Sequence, residues 1–431
     1  MQQGEGSGDG VSTTAAAAQD ADVLVLGAGV IGLACALALL REGRSVTVLE
    51  QGEAGCGSSH GNCGTITPSH AAPLAAPGTI AKALRWMARA DAPLYVKPRW
   101  DPALLAWFAR FALRCNHRDW LATMRTKAAL LSRSRAALQE LVANEGIDCA
   151  FASSGLWYVF REEAALEAML EETAALADLG VRSEQVDGAA VRAAEPALND
   201  RVIGAIAFPD DASLRPDALV AGLARRVREL GGRIETGAQV QALEAGRDGV
   251  RCITSRGRYR GSHAVLAAGV WSSALARQLR VRLPVQPGKG YSITYARPAL
   301  APQRPLVLEE RSVCVTAWPD GFRLGSTMEF SGYDNSLNHV RLDALERGAA
   351  EYLREPHGGA RLEEWYGWRP MTYDDLPVIG AHPRAPRVVF ATGHGMLGVS
   401  LSAITAELVA DLLVQRAPAF DPAPLSPQRF G

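Results

Sequence analysis

Three glycines and an acid, Gly27, Gly29, Gly32 and Glu50, have the types and spacing for binding a phosphate and a ribose. Gly27 permits a tight turn, Gly29 lets a pyrophosphate approach the backbone, and Gly32 allows a helix to pack closely on a sheet. Val30 and Ile31 open that helix, where free N–H groups hold phosphate oxygens. Glu50, followed by Gln51, stands eighteen residues after Gly32, where a carboxylate accepts from a ribose diol and repels a 2′-phosphate. An adenine dinucleotide without that phosphate is implied, but the fingerprint does not choose between FAD and NAD. Residues 57–64, GSSHGNCG, form a small-residue loop whose backbone and hydroxyl donors suit further phosphate or ring atoms. Farther on, Arg369 is a permanent cation inside the aromatic stretch WYGWRPMTYDDLPVIG. On the residues alone it reads as an ion-pair partner for Glu363, Glu364 or Asp375.

These residues need elements to place them. The pattern predicts a strand Val23–Leu26, a helix from about Val30 to Arg41, a turn at Gly43 and a strand Ser45–Leu49, a complete βαβ unit. Val23–Leu40 is also eighteen uncharged residues, about the lower limit for a membrane span, but its three glycines favour a strand breaking into a helix. From about Leu84 to Glu172 the text is helix-rich, with Trp86, Trp107, Phe108 and Phe111 at core-like spacings. Arg215–Gly246 resumes an α/β pattern, and a buried strand in HAVLAAGVWSSALA ends at Ala268 and Gly269, so the dinucleotide domain is discontinuous. YSITYA, VCVTAW and FRLGSTMEF read as strands of a mostly antiparallel second domain. GHGMLG, Gly393–Gly398, repeats the G-x-G-x-x-G spacing but has no following strand or ribose acid, so it is not a second nucleotide site. A helix starting near Gly398 would instead point its positive end at something held by the first unit.

Bulk properties narrow the classes. A formal net charge of −1 gives no basic stripe for nucleic acid and no acidic tail. Seven cysteines without a C-x-x-C pair fit a reducing compartment better than a disulfide framework. The histidines show no ligand spacing, so no metal site is expected, and adjacent Asp374 and Asp375 suit a turn or cap better than an acid–base pair. Residues 1–20 read as a disordered leader and 417–431 as a Pro-rich tail.

From about Asp22 to Leu413 the chain resembles the D-amino acid oxidase superfamily of FAD enzymes, and most closely the bacterial D-amino acid dehydrogenases of D-proline or D-hydroxyproline type. The stretches that carry the resemblance are VLGAGVIGLACALALLREGRSVTVLEQ, SSHGNCGTITPSHAAPLAAPG, PVQPGKGYSIT, GSTMEFSGYD, WYGWRPMTYDDLPVIG and FATGHGMLGVSLS. The fold class expected is α/β, with a discontinuous Rossmann-like FAD-binding domain (21–80, 212–280 and 366–416). A second, α+β substrate domain (81–211 and 281–365) is built on a mostly antiparallel sheet.

The resemblance implies FAD lying along Gly27, Gly29, Val30, Ile31, Gly32, Glu50 and Gln51, with Ser58, Ser59, Gly61, Asn62 and Gly64 approaching its flavin side. Ala268 and Gly269 pass near it, while Gly393, His394, Gly395, Met396, Leu397 and Gly398 meet the pyrimidine edge of the ring. It implies that Arg369 forks the α-carboxylate of an amino acid substrate, with Tyr291 as a substrate-side hydroxyl. Trp368 and Arg369 stand where relatives with cysteine-linked flavin carry that cysteine, and His60 is offset by one residue from a flavin-linked histidine, so FAD is expected to be non-covalent. The implied reaction is hydride transfer from Cα of a D-amino or cyclic D-imino acid to flavin N5, without a dedicated acid or base. The acceptor is then a quinone or oxygen, and the setting is cytoplasmic or peripheral at the inner membrane. Alternatives are a glycine or sarcosine-type oxidase, a non-catalytic FAD subunit of an electron-transfer complex, and an NAD-dependent dehydrogenase.

Overall fold

The computed structural model describes residues 19–87 and 92–431. The leader up to residue 18 and the side chain of Trp86 lie outside the described residues. The first strand, β1 (Gln19–Leu26), starts earlier than its apolar run, because Gln19–Ala21 pair with Tyr259–Gly261. It leads into α1 (Val30–Arg41) and β2 (Val46–Leu49), and β1 and β2 are parallel.

Nine of the twelve α1 residues are buried. A helix apolar all round is expected where both of its faces are covered. Here the helix Pro216–Glu229 and the C-terminal helix Ser402–Leu413 pack against it, which accounts for the membrane-like composition. Among the described residues no helix is long and apolar enough to cross a membrane.

The first sheet is completed by β3 (Arg233–Glu235), the hairpin β4 (Val240–Gly246) and β5 (Gly249–Thr254), and β6 (Gly257–Leu266), in the order β4-β5-β6-β1-β2-β3. The second sheet contains β7 (Gln286–Tyr295), β8 (Leu306–Leu308), β9 (Val313–Trp318), β10 (Gly321–Phe330) and β11 (Arg361–Met371). Its order is β11-β7-β10-β9-β8, continued by Leu156–Phe160, Gly204–Phe208 and Glu184–Asp187. The chain then returns to the first sheet as β12 (Val378–His382) and β13 (Ala385–Thr392), with β13 parallel to β6.

Three expectations change. A domain boundary at 366 falls inside β11, which pairs with β7 from Gln286↔Met371 to Tyr295↔Arg361, so Arg369 belongs to the second sheet. The segment read as helical also holds the strands Leu94–Val96 and Leu156–Phe160. LWYVF is buried at all five positions and shows no alternation to mark it as a strand. The last helix starts at Ser402, four residues after Gly398. The Pro-rich tail packs against the fold: Phe430 meets Tyr373 edge-on at 5.3 Å, and Arg429 pairs with Asp374 at 2.8 Å.

Candidate active site

A cavity of about 1040 Å³ runs between the two sheets. That is the upper end of the range for small-molecule sites, roughly 300–1,000 Å³, and leaves room for a second small molecule beside a cofactor. Gly27, Gly29, Val30, Ile31, Glu50, Gln51, Ser58, Ser59, Gly61, Asn62, Ala268 and Gly269 line it, and so do Tyr291, Arg369 and His394 to Gly398. Gly32, Gly64 and Gly393 stand behind this lining.

The glycine turn has the form its spacing predicts. Gly27 has φ +109°, and a Cβ there would lie 2.6 Å from the Ala267 carbonyl oxygen. At Gly32 a Cβ would come within 1.9 Å of the Gly27 carbonyl oxygen, which is the close packing of helix on turn. A Cβ at Gly64 would lie 1.9 Å from the Leu214 carbonyl oxygen, so this glycine serves chain packing behind the loop. Glu50 is held at the end of β2 by the N–H groups of Ala28 (2.7 Å) and Gly52 (2.9 Å). Val30 N–H donates to Ser59 Oγ (3.1 Å), tying the 57–64 loop to the helix start.

The second glycine turn is built differently. The His394 ring is buried and hydrogen-bonds with Thr405 Oγ1 at 3.0 Å, and burial pushes its pKa down to about 3. Gly395 N–H donates to the Pro370 carbonyl and Leu397 N–H to the His394 carbonyl, while the N–H groups of Met396 and Gly398 have no protein acceptor among the described residues.

Arg369 is the central cation. Its Nη1 donates to the Thr327 carbonyl at 2.6 Å, and no carboxylate lies within ion-pair distance among the described residues. The expected alternative partners are engaged elsewhere: Glu363 with His60 and Arg323, Glu364 with Arg361, and Asp375 with Lys127. Burial pulls the Arg369 pKa below the ordinary arginine value, with the nearby Cys63 and Cys314 thiols acting the other way. The structural ion-pair reading therefore fails.

Two features make room for this guanidinium. Gly290, on β7, lies beneath it, and a Cβ there would be 2.3 Å from Nη1. On β10, Ser326 and Thr327 take φ +130° and +61° at an irregularity opposite Lys289 and Tyr291. Positive φ at a β-branched threonine is costly backbone. It accompanies the β-bulge whose Thr327 carbonyl meets Arg369. The sequence gives no sign of this bulge, because GSTMEF reads as ordinary strand.

The reading of Tyr291 changes. The Tyr291 hydroxyl donates to Glu329 Oε2 at 3.1 Å, so its polar end is already engaged although the residue lines the cavity. His60, expected not to carry the flavin, lies outside the lining and hydrogen-bonds with Glu363 Oε1 at 2.6 Å. Trp107 is buried core, but it also walls the cavity with Phe108 and Phe111. Sequence reasoning missed Cys63, Cys314, Glu309, His70 and Tyr158, which come to the cavity from separate segments. Among the described residues no three potential ligands are placed to hold a metal.

The residues fit a bound FAD. Among the described residues, backbone donors without protein acceptors occur at both glycine turns, Gly29 leaves open backbone, and the buried Trp368 Nε1 has no partner. Residues 22–412 match the family described as DAO, FAD dependent oxidoreductase. A D-amino acid dehydrogenase of Sinorhizobium medicae is 35% identical, covering 95% of this chain and 99% of the relative. One from Paramagnetospirillum magneticum is 37% identical, covering 94% and 98%. Among solved structures, glycine oxidase from Geobacillus kaustophilus superposes with a TM-score of 0.78 at 22% identity, covering 95% of this chain and 98% of that one, a likeness of fold. Over nearly its whole described length, this chain belongs to the family of FAD-dependent oxidoreductases.

Proposed function

We propose that the protein oxidises the α-carbon of a D-amino acid or cyclic D-imino acid to the imine, with D-proline or D-hydroxyproline type substrates first. The observation that carries this reading is Arg369, a guanidinium on the cavity wall with no carboxylate partner among the described residues. A desolvated guanidinium is matched by a planar carboxylate that accepts two parallel hydrogen bonds. The relatives named D-amino acid dehydrogenase support the substrate class.

Bound FAD would supply the two-electron acceptor. Gly27, Gly29, Val30, Ile31, Glu50 and Gln51 would hold its adenosine and pyrophosphate, and Ser58, Ser59, Gly61 and Asn62 its flavin side. Met396 and Gly398 would offer N–H donors to developing negative charge. Arg369 would orient the substrate, while Trp365, Tyr366 and Trp368 exclude water, so catalysis rests on positioning and electrostatics. With Trp368 and Arg369 at the linkage position and His60 turned away, the cofactor is held non-covalently; denaturation should release yellow FAD.

Anaerobic mixing with D- and L-amino acids tests the proposal. Bleaching of the flavin by D-proline or other D-substrates is expected, and a spectrum that no D-substrate changes would sink it. Comparing D-proline, D-alanine, glycine and sarcosine separates the glycine-oxidase alternative, which the Geobacillus fold neighbour favours. Turnover by the purified chain with an artificial acceptor rules out a non-catalytic subunit. We further infer a quinone or oxygen as acceptor and a cytoplasmic protein peripheral at the inner membrane. Sedimentation with anionic vesicles tests the membrane contact.

A further inference from the structure

The cavity has a second polar end, across β9 from Arg369, lined by His70, Lys82, Tyr158, Glu309, Ser312 and Cys314. Glu309 and Glu310 are neighbours with different circumstances. Glu310 accepts from the N–H groups of Arg161 (2.8 Å) and Glu162 (2.9 Å) and from the Tyr352 hydroxyl. Glu309 has no side-chain hydrogen bond and no ion pair among the described residues, yet it faces the cavity. Burial pushes its carboxyl up to about 7, against the opposing pull of Lys82.

Lys82 is the cation that faces it, and Glu172 and Glu310 add like charge. The Tyr158 hydroxyl hydrogen-bonds with His70 Nε2 at 3.1 Å, and burial holds His70 down at about 4, so that ring is uncharged at neutral pH. Lys127, the other nearby ammonium, is paired with Asp375 at 2.6 Å. Strand order gives the separation. The Thr327 carbonyl that meets Arg369 is on β10, and Glu309 directly follows β8, two strands away. At about 4.8 Å per strand this is roughly 10 Å of sheet. A proline ring does not cover that span, whereas a six-bond extended chain covers about 7 Å before its hydrogen bonds are added.

We propose that Glu309 is a specificity-determining residue that receives the cationic end of a long D-amino acid side chain whose α-carboxylate is held by Arg369. The substrate range then includes basic D-amino acids of lysine length beside the cyclic imino acids. This rests on the amino acid oxidation reading above.

The test uses the full-length, FAD-loaded protein with two non-oxidisable probes, 6-aminohexanoate and hexanoate, titrated calorimetrically, and two substrates, D-lysine and D-norleucine. Each pair differs by the terminal ammonium. Wild type should bind 6-aminohexanoate about tenfold or more tighter than hexanoate, with a similar preference in kcat/KM for D-lysine, as a charge-assisted hydrogen bond implies. Glu309→Gln should bring both ratios to within about twofold of unity, acting on D-lysine alone, and Glu309→Asp should keep a reduced preference. Equal binding of the two probes by wild type, or an equal loss on both substrates in Glu309→Gln and Glu309→Asp, overturns the proposal. Probe selectivity without flavin bleaching by any D-amino acid would uphold the subsite and reject the oxidation reading. D-norleucine turnover without probe selectivity would do the reverse.

Discussion

Arg323 and Arg369 both project from the second sheet, Arg323 onto the 57–64 loop and Arg369 onto the cavity wall, and they differ in how much of each guanidinium the protein itself uses. Arg323 is 3% exposed and donates to Thr294 Oγ1 (2.9 Å), to the carbonyls of His60 (3.0 Å) and Asn62 (2.8 Å), and to Glu363 (3.4 Å). Arg369 donates one short hydrogen bond, to a carbonyl. The first is a structural clamp on the 57–64 loop, with its donors committed. The second has most of its donors without a protein acceptor among the described residues, which is the basis of the proposed carboxylate role. Burial alone therefore does not identify a binding arginine; its unspent donors do.

Substitutions can separate the two roles. Arg369→Leu should lower kcat/KM for carboxylate substrates by an amount equivalent to about 3–5 kcal/mol, while FAD content and melting temperature hold. Unchanged steady-state kinetics would return Arg369 to a structural role. Arg323→Leu should do the opposite: it leaves Glu363 and two loop carbonyls short of a donor, costing roughly 3 kcal/mol in urea unfolding, with FAD lost more readily and little selective effect on KM. A selective KM effect there would erase the distinction.

The two glycine turns offer the smaller tests. Gly27→Ala must accommodate both a positive φ and a Cβ 2.6 Å from a carbonyl oxygen, so about 1–3 kcal/mol of destabilisation and loss of bound FAD are expected by thermal melts and absorbance. In the second turn, His394 is held uncharged, with its folded pKa near 3 below the ordinary 6.5. The unfolded chain then binds the proton first, so this residue's contribution to stability falls as pH drops through 6.5 toward 3. Asp211 and Glu309, raised by burial to about 7, act in the opposite direction over pH 7 to 4. The difference between wild type and His394→Gln isolates the histidine: relative to pH 7.5, wild type should lose about 1–2 kcal/mol more than the variant at pH 5.5–5. Parallel urea midpoints across that range would contradict it.

Legibility followed sequence distance. The βαβ unit was readable because strand, turn, helix and acid are contiguous, and α1 begins and ends where its apolar run and flanking glycines place it. The later turn has the same G-x-G-x-x-G spacing but a different outcome. There the buried His394 ring and its Thr405 bond organise the segment, and regular helix starts at Ser402. The strand Leu156–Phe160 was missed because a core strand covered on both faces loses the alternation that marks a strand.

The sequence by itself determined the dinucleotide turn, the discontinuous two-domain α/β plan and the presence of a lone arginine in an aromatic run, since each rests on local spacing and composition. Tertiary structure alone decided which arginine is spent, that Tyr291 is engaged by Glu329, and that Glu309 faces the cavity without a partner among the described residues. Those outcomes depend on which hydrogen bonds are satisfied by residues distant in the chain, and satisfaction is a property of packed neighbours rather than of spacing.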